Sequence, residues 1–137
     1  MIIAVDFDGT IVQDNYPSIG KERPFATQTL RMLQAEGHQL ILWTVRRGRQ
    51  LDEALEWCRE RGVEFYAVNK DFPEEDEQKN ERYSRKIKVD IFIDDRNVGG
   101  LPDWGMIYQM IHDDKTFEEI LSEDSERYKN KKKWWQF

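Results

Sequence analysis

The chain has 137 residues, of which 21 are Lys or Arg and 27 are Asp or Glu, so its formal net charge is −6. Negative charge disfavours nucleic acid and anionic membranes as partners, and the length predicts a single domain over residues 1–137. With one cysteine, no apolar run near the roughly 20 residues of a membrane span and no signal-peptide pattern, we expect a reducing, cytoplasmic setting.

Strands and helices are predicted to alternate along the chain. The predicted strands are residues 2–5, 39–44, roughly 64–68 and 89–93, and the predicted helices are residues 24–37 and the segment around 51–62. Residues 104–111 fit either a strand or a helix, and Thr116 with Glu119 predicts a capping box that opens a last helix. The basic, aromatic tail 129–137 fits an interface or a disordered end, and we favour the disordered end. This order is typical of a Rossmann-like α/β fold with a doubly wound parallel sheet.

Chemically useful side chains stand where three of these strands end. Asp6 and Asp8 end the first strand, Thr44 ends the second, and Asp94 with Asp95 ends the fourth. In a parallel sheet these ends share one edge, so we expect the side chains to converge there. Carboxylates crowded together need a cation or a proton between them, and their oxygens suit Mg²⁺. The sequence therefore predicts a magnesium site that could also hold a phosphate oxygen.

A resemblance to a known family rests on four short runs that follow one another in a fixed order. The runs are Asp6-Phe7-Asp8-Gly9-Thr10, Trp43-Thr44, a lysine before the fourth strand, and Asp94-Asp95. Together they resemble the four motifs of the haloacid dehalogenase superfamily of phosphohydrolases. The wider run over residues 84–96 also resembles small members of that superfamily that lack a cap domain.

The resemblance implies a Mg²⁺-dependent phosphatase that hydrolyses a phosphate monoester. Asp6 would be the nucleophile that forms an aspartyl phosphate, and Asp8 would be the general acid and then the general base. Mg²⁺ would be held by Asp6, by the backbone carbonyl of Asp8 and by Asp94, while Asp95 would hold a metal-bound water.

Thr44 and a lysine would bind the non-bridging phosphate oxygens. Lys86 and Lys88 both precede the fourth strand, and the spacing to Asp94 favours Lys86. Arg46 follows Thr44 closely and could reach either the phosphate or the leaving group.

The spacing between motifs leaves too few residues for a folded cap, which predicts an open site. Such a site would admit small or macromolecular phosphate esters, unless a neighbouring subunit of a homo-oligomer covers it.

Two other function classes stay open. One is a phosphoaccepting signalling domain, although there the phosphorylated Asp ends a middle strand rather than the first. The other is a binding or assembly module on the same fold without useful turnover.

Overall fold

The computed structural model describes residues 1–76 and 84–134, with side chains described as far as Lys129. Its contacts separate two compact units, Met1–Leu101 and Pro102–Phe137. All the residues expected to form the site belong to the first unit. The single domain expected over residues 1–137 stays a prediction.

The first unit is an α/β structure built on a four-stranded, all-parallel sheet, as the alternation of strands and helices predicts. The strands lie in the order β3-β2-β1-β4. Their bounds are β1 Ile2–Val5, β2 Gln39–Leu42, β3 Ala67–Val68 and β4 Ile91–Ile93, and the helices are α1 Ala26–Ala35 and α2 Gly48–Glu60. The coarse α/β prediction is therefore confirmed.

Apolar residues at strand and helix spacing form the core of this unit. Ile3, Ala4 and Val5 of β1 are buried, as expected for a strand with a neighbour on each side. On α1 the buried residues Leu30 and Leu33 lie one turn apart. Burial of each large apolar side chain stabilises the fold by about 1.5–3 kcal/mol.

β2 ends at Leu42 and not at Thr44, and the two outer strands are also shorter than predicted. β3 covers only Ala67–Val68 and β4 only Ile91–Ile93. One backbone hydrogen bond beyond each strand extends the pairing to Tyr66 and to Asp90. Both strands lie at sheet edges and pair on one side only, so fewer ladder bonds hold their ends in the extended form.

The second unit contains two helices, α3 Trp104–His112 and α4 Phe117–Trp134. The segment that fitted a strand or a helix is therefore helical, and Asp103 caps it by accepting the Met106 N–H at 2.9 Å. The predicted capping box is confirmed, since Thr116 Oγ1 accepts the Glu119 N–H at 3.2 Å and Glu119 Oε2 accepts the Thr116 N–H at 3.3 Å.

The backbone of α4 continues into the tail as far as Trp134, so the disordered end favoured for this tail is wrong over that stretch. No Gly or Pro interrupts residues 117–134, which permits an unbroken helix. Residues 135–137 lie outside the described part of the chain. No helix within the described residues combines the length and the apolar character that crossing a membrane needs.

Candidate metal and phosphate site

The register of the sheet brings three carboxylates together. Val5, the last residue of β1, pairs with Leu42 of β2 and with Ile93 of β4, so these three strands end at the same level. Asp6 follows at once and donates its backbone N–H to the Ile93 carbonyl at 3.0 Å. Asp6, Asp94 and Asp95 each offer one carboxylate oxygen, and these oxygens all lie within 4.8 Å of one another. The predicted convergence of the first and fourth strand ends is therefore present.

The turn after β1 connects the acidic residues. The buried Thr10 hydroxyl lies 3.0 Å from Asp6 Oδ2 and 3.1 Å from Asp95 Oδ1, and it accepts the Asp95 N–H at 3.0 Å. Gly9 has φ +85°, and a Cβ there would lie 2.8 Å from Asp95 Cγ. Only a residue without a side chain gives this turn both its conformation and the room for Asp95.

The pKa of Asp6 indicates how closely negative charge is crowded among these carboxylates, and therefore whether they suit a cation. Burial, the nearby Asp94 charge and a hydrogen bond with Asp95 raise the pKa of Asp6 from 3.8 to about 7. Without a countercharge the cluster therefore retains a proton near neutral pH. A divalent cation that replaces this proton would neutralise the clustered charge, and an all-oxygen donor set suits Mg²⁺. The donor set thus fits the predicted metal.

Asp8 does not belong to this carboxylate cluster, because its side chain is paired with Arg46. Arg46 donates from Nε to Asp8 Oδ2 and from Nη2 to Asp8 Oδ1, both at 2.7 Å. The metal contact that the resemblance implies for Asp8 involves its backbone carbonyl, so this pairing does not test it.

Arg46 is not placed to bind phosphate, and this prediction is corrected. Its side chain is buried, and its remaining N–H groups donate to the carbonyls of Pro17, Ser18 and Gln50. Since all five guanidinium donors have partners inside the protein, none is left for a ligand. Arg46 instead positions Asp8.

Thr44 lies at the site, as predicted, and Asn69 holds its backbone. Asn69 follows β3, has the left-handed φ of 55° that asparagine tolerates, and accepts the Thr44 N–H on Oδ1 at 2.8 Å. The Thr44 hydroxyl accepts the Arg46 backbone N–H at 3.1 Å, which leaves its own hydrogen available to a ligand.

A cavity of about 620 Å³ opens at this edge of the sheet. Its lining residues are Asp6, Asp8, Trp43, Thr44, Val45, Asn69, Arg85, Asp94 and Arg96. Neither predicted lysine lines it: Lys86 and Lys88 are both exposed, and the Lys88 backbone N–H donates to Asp71. Among the described residues, the cationic side chains that line the cavity are Arg85 and Arg96, and phosphate binding by Lys86 stays a prediction.

The chain resembles one solved structure closely. A conserved protein from Bacteroides thetaiotaomicron has 64% sequence identity and a TM-score of 0.82, over 88% of this chain and 96% of that one. The chain belongs to the same family as that protein. No protein-family model matches the chain, and no curated protein is similar to it.

Sequence reasoning missed three polar or charged residues that line the cavity. Asn69 could have been found, because it follows the third strand at the same edge as the other polar residues. Arg85 stands within the run over residues 84–96 that suggested the family resemblance. Arg96 stands within the same run, directly after Asp95.

Proposed function

We propose that this protein is a Mg²⁺-dependent phosphatase of the haloacid dehalogenase type, which hydrolyses a phosphate monoester through an aspartyl phosphate on Asp6. The observation that carries the proposal is the meeting of Asp6, Asp94 and Asp95 at the carboxyl edge of a parallel sheet. Asp6 and Asp94 also line a cavity large enough for a small ligand.

The proposal extends to the architecture. The strand order β3-β2-β1-β4, with β1 between its neighbours and Asp6 at its end, supports a doubly wound core of the haloacid dehalogenase type. We further propose that this core has no substantial cap domain and therefore acts on small or macromolecular phosphate esters.

The metal would be held by side-chain oxygens of Asp6 and Asp94 and by the backbone carbonyl of Asp8, with Asp95 on a bound water. When bound, Mg²⁺ supplies positive charge that offsets the carboxylates and stabilises a phosphoryl oxygen. The contacts of Thr10 with Asp6 and Asp95 would keep these two side chains in place before the ion arrives.

The covalent steps would fall to two aspartates. Asp6 attacks phosphorus as the bond to the leaving oxygen breaks, and that oxygen takes a proton from Asp8. Asp8 then removes a proton from water, which attacks phosphorus and releases phosphate and free Asp6. Because Arg46 donates to both oxygens of Asp8, the transferred proton must occupy a lone pair of Asp8 that Arg46 does not use.

The phosphoryl oxygens would be bound by the Thr44 hydroxyl and by a guanidinium group. We assign Arg85 to the role first given to Lys86, because Arg85 lines the cavity together with Asp6 and Thr44. A guanidinium group can donate two parallel hydrogen bonds to a phosphoryl group.

The test compares Asp6→Asn with the exposed control Asp52→Asn. Phosphate release from phenyl phosphate is measured with Mg²⁺ and with a chelator. We expect the wild type and Asp52→Asn to be active with Mg²⁺ only, and Asp6→Asn to be folded and inactive. Activity in Asp6→Asn would remove Asp6 as the nucleophile, and a wild type inactive on a broad panel of esters would refute the phosphatase.

A further inference from the structure

The cavity contains more binding groups than a phosphoryl group requires. The metal, the transferred phosphate and the proton transfers are assigned to Asp6, Asp8, Asp94, Asp95, Thr44 and Arg85. Trp43, Val45 and Arg96 line the same 620 Å³ cavity and have no part in that chemistry. Since small-molecule sites commonly measure about 300–1,000 Å³, there is room for a leaving group beside the phosphate.

Two of these residues, Trp43 and Val45, are apolar and line the cavity. Trp43 is partly buried and packs against the core residues Ala4, Ile41, Ala67 and Ile87, which restricts its movement. Val45 is 86% exposed. Apolar surface presented at a cavity favours an apolar ligand group, and an indole ring favours contact with another flat ring.

Arg96 supplies a cationic group on a fixed backbone. Its backbone N–H donates to Asp94 Oδ1 at 2.9 Å, and the neighbouring Asn97 side chain donates to the Asp94 carbonyl at 2.8 Å. Within the described part of the chain, the Arg96 guanidinium has no hydrogen bond or ion pair. An exposed guanidinium that lines a ligand cavity suits a carboxylate or a second phosphate.

We infer that the substrate is a phosphate monoester whose leaving group carries an aromatic ring, placed against Trp43 and Val45, and a second anionic group, paired with Arg96. This inference rests on the proposed phosphatase and specifies its substrate class. The ring and the second charge would orient the ester so that phosphorus faces Asp6.

Non-hydrolysable phosphonates test the inference independently of turnover. Calorimetry with Mg²⁺ compares ethylphosphonate, benzylphosphonate and 3-carboxybenzylphosphonate. We expect the ring to strengthen binding severalfold and the carboxylate to add about tenfold or more. Arg96→Gln should remove the carboxylate effect alone, while Arg49→Gln, an exposed arginine of α2, should leave it intact. Trp43→Leu should remove the ring effect.

Equal affinity for the three phosphonates in the wild type would overturn the inference, and this comparison needs no folded variant of Trp43. An equal loss of affinity for all three phosphonates in Arg96→Gln would also overturn the inference, because Arg96 would then contact the phosphonate group itself. Turnover separates the two proposals. Release of phosphate from phenyl phosphate and 3-carboxyphenyl phosphate with equal kcat/KM would overturn the inference only. No release from either ester, nor from the broad panel of esters, would overturn the phosphatase and the substrate assignment with it.

Discussion

Replacing Gly9 by alanine tests the link between the turn after β1 and the proposed metal site. Gly9 has φ +85°, where a side chain costs about 1–2 kcal/mol. The new Cβ would also lie 2.8 Å from Asp95 Cγ, whereas Cβ atoms in proteins essentially never approach another heavy atom more closely than 3.0 Å. The turn or Asp95 must then shift, which adds about 1–3 kcal/mol, as overpacking usually does.

Gly37 provides a matched control. Its φ of +91° carries the same backbone cost, but nothing lies within 4 Å of an added Cβ. Urea denaturation should therefore show that the free energy of unfolding falls by about 1–2 kcal/mol in Gly37→Ala and by about 2–5 kcal/mol in Gly9→Ala. Calorimetric titration with Mg²⁺ should show about a tenfold or greater loss of affinity for Gly9→Ala, because Asp95 is displaced, and little change for Gly37→Ala.

Wild-type Mg²⁺ affinity in Gly9→Ala would refute the reasoning, because Asp95 would then tolerate displacement or have no part in the metal site. An equal loss of affinity in Gly37→Ala would refute it too. The effect would then come from general destabilisation and not from the contact between residue 9 and Asp95.

Three further outcomes are expected. Arg46→Gln leaves the Asp8 carboxylate without its buried partner, so chemical denaturation should show that the free energy of unfolding falls by about 3–5 kcal/mol. Arg49→Gln, which breaks an exposed ion pair, should lower it by only about 0.3–0.5 kcal/mol. Folded Asp6 binds its proton more tightly than unfolded Asp6, so the Tm measured in chelator should fall as the pH rises from about 4 to about 7. Added Mg²⁺ should restore the Tm at pH 8. A Tm that does not depend on pH would contradict this prediction. Thr116→Ala removes one half of the capping box and should lower the free energy of unfolding by about 1 kcal/mol, whereas Thr116→Ser should retain it.

Local patterns were sufficient to predict much of the fold and part of the site. An unbroken apolar run predicted β1, and apolar residues one turn apart predicted α1, because side-chain periodicity follows directly from backbone geometry. The position of Asp6 and Asp94 directly after two strands predicted their meeting, since parallel strands end at a common edge.

The choice of partners among the charged side chains depended on tertiary structure. Arg46 and Asp8 are 38 residues apart, and only the path of the chain between them shows that they pair. The same dependence explains why Arg85 lines the cavity and the adjacent Lys86 does not. Charged side chains on irregular segments have no periodicity that predicts their direction. Their contacts are decided by where distant parts of the backbone come together.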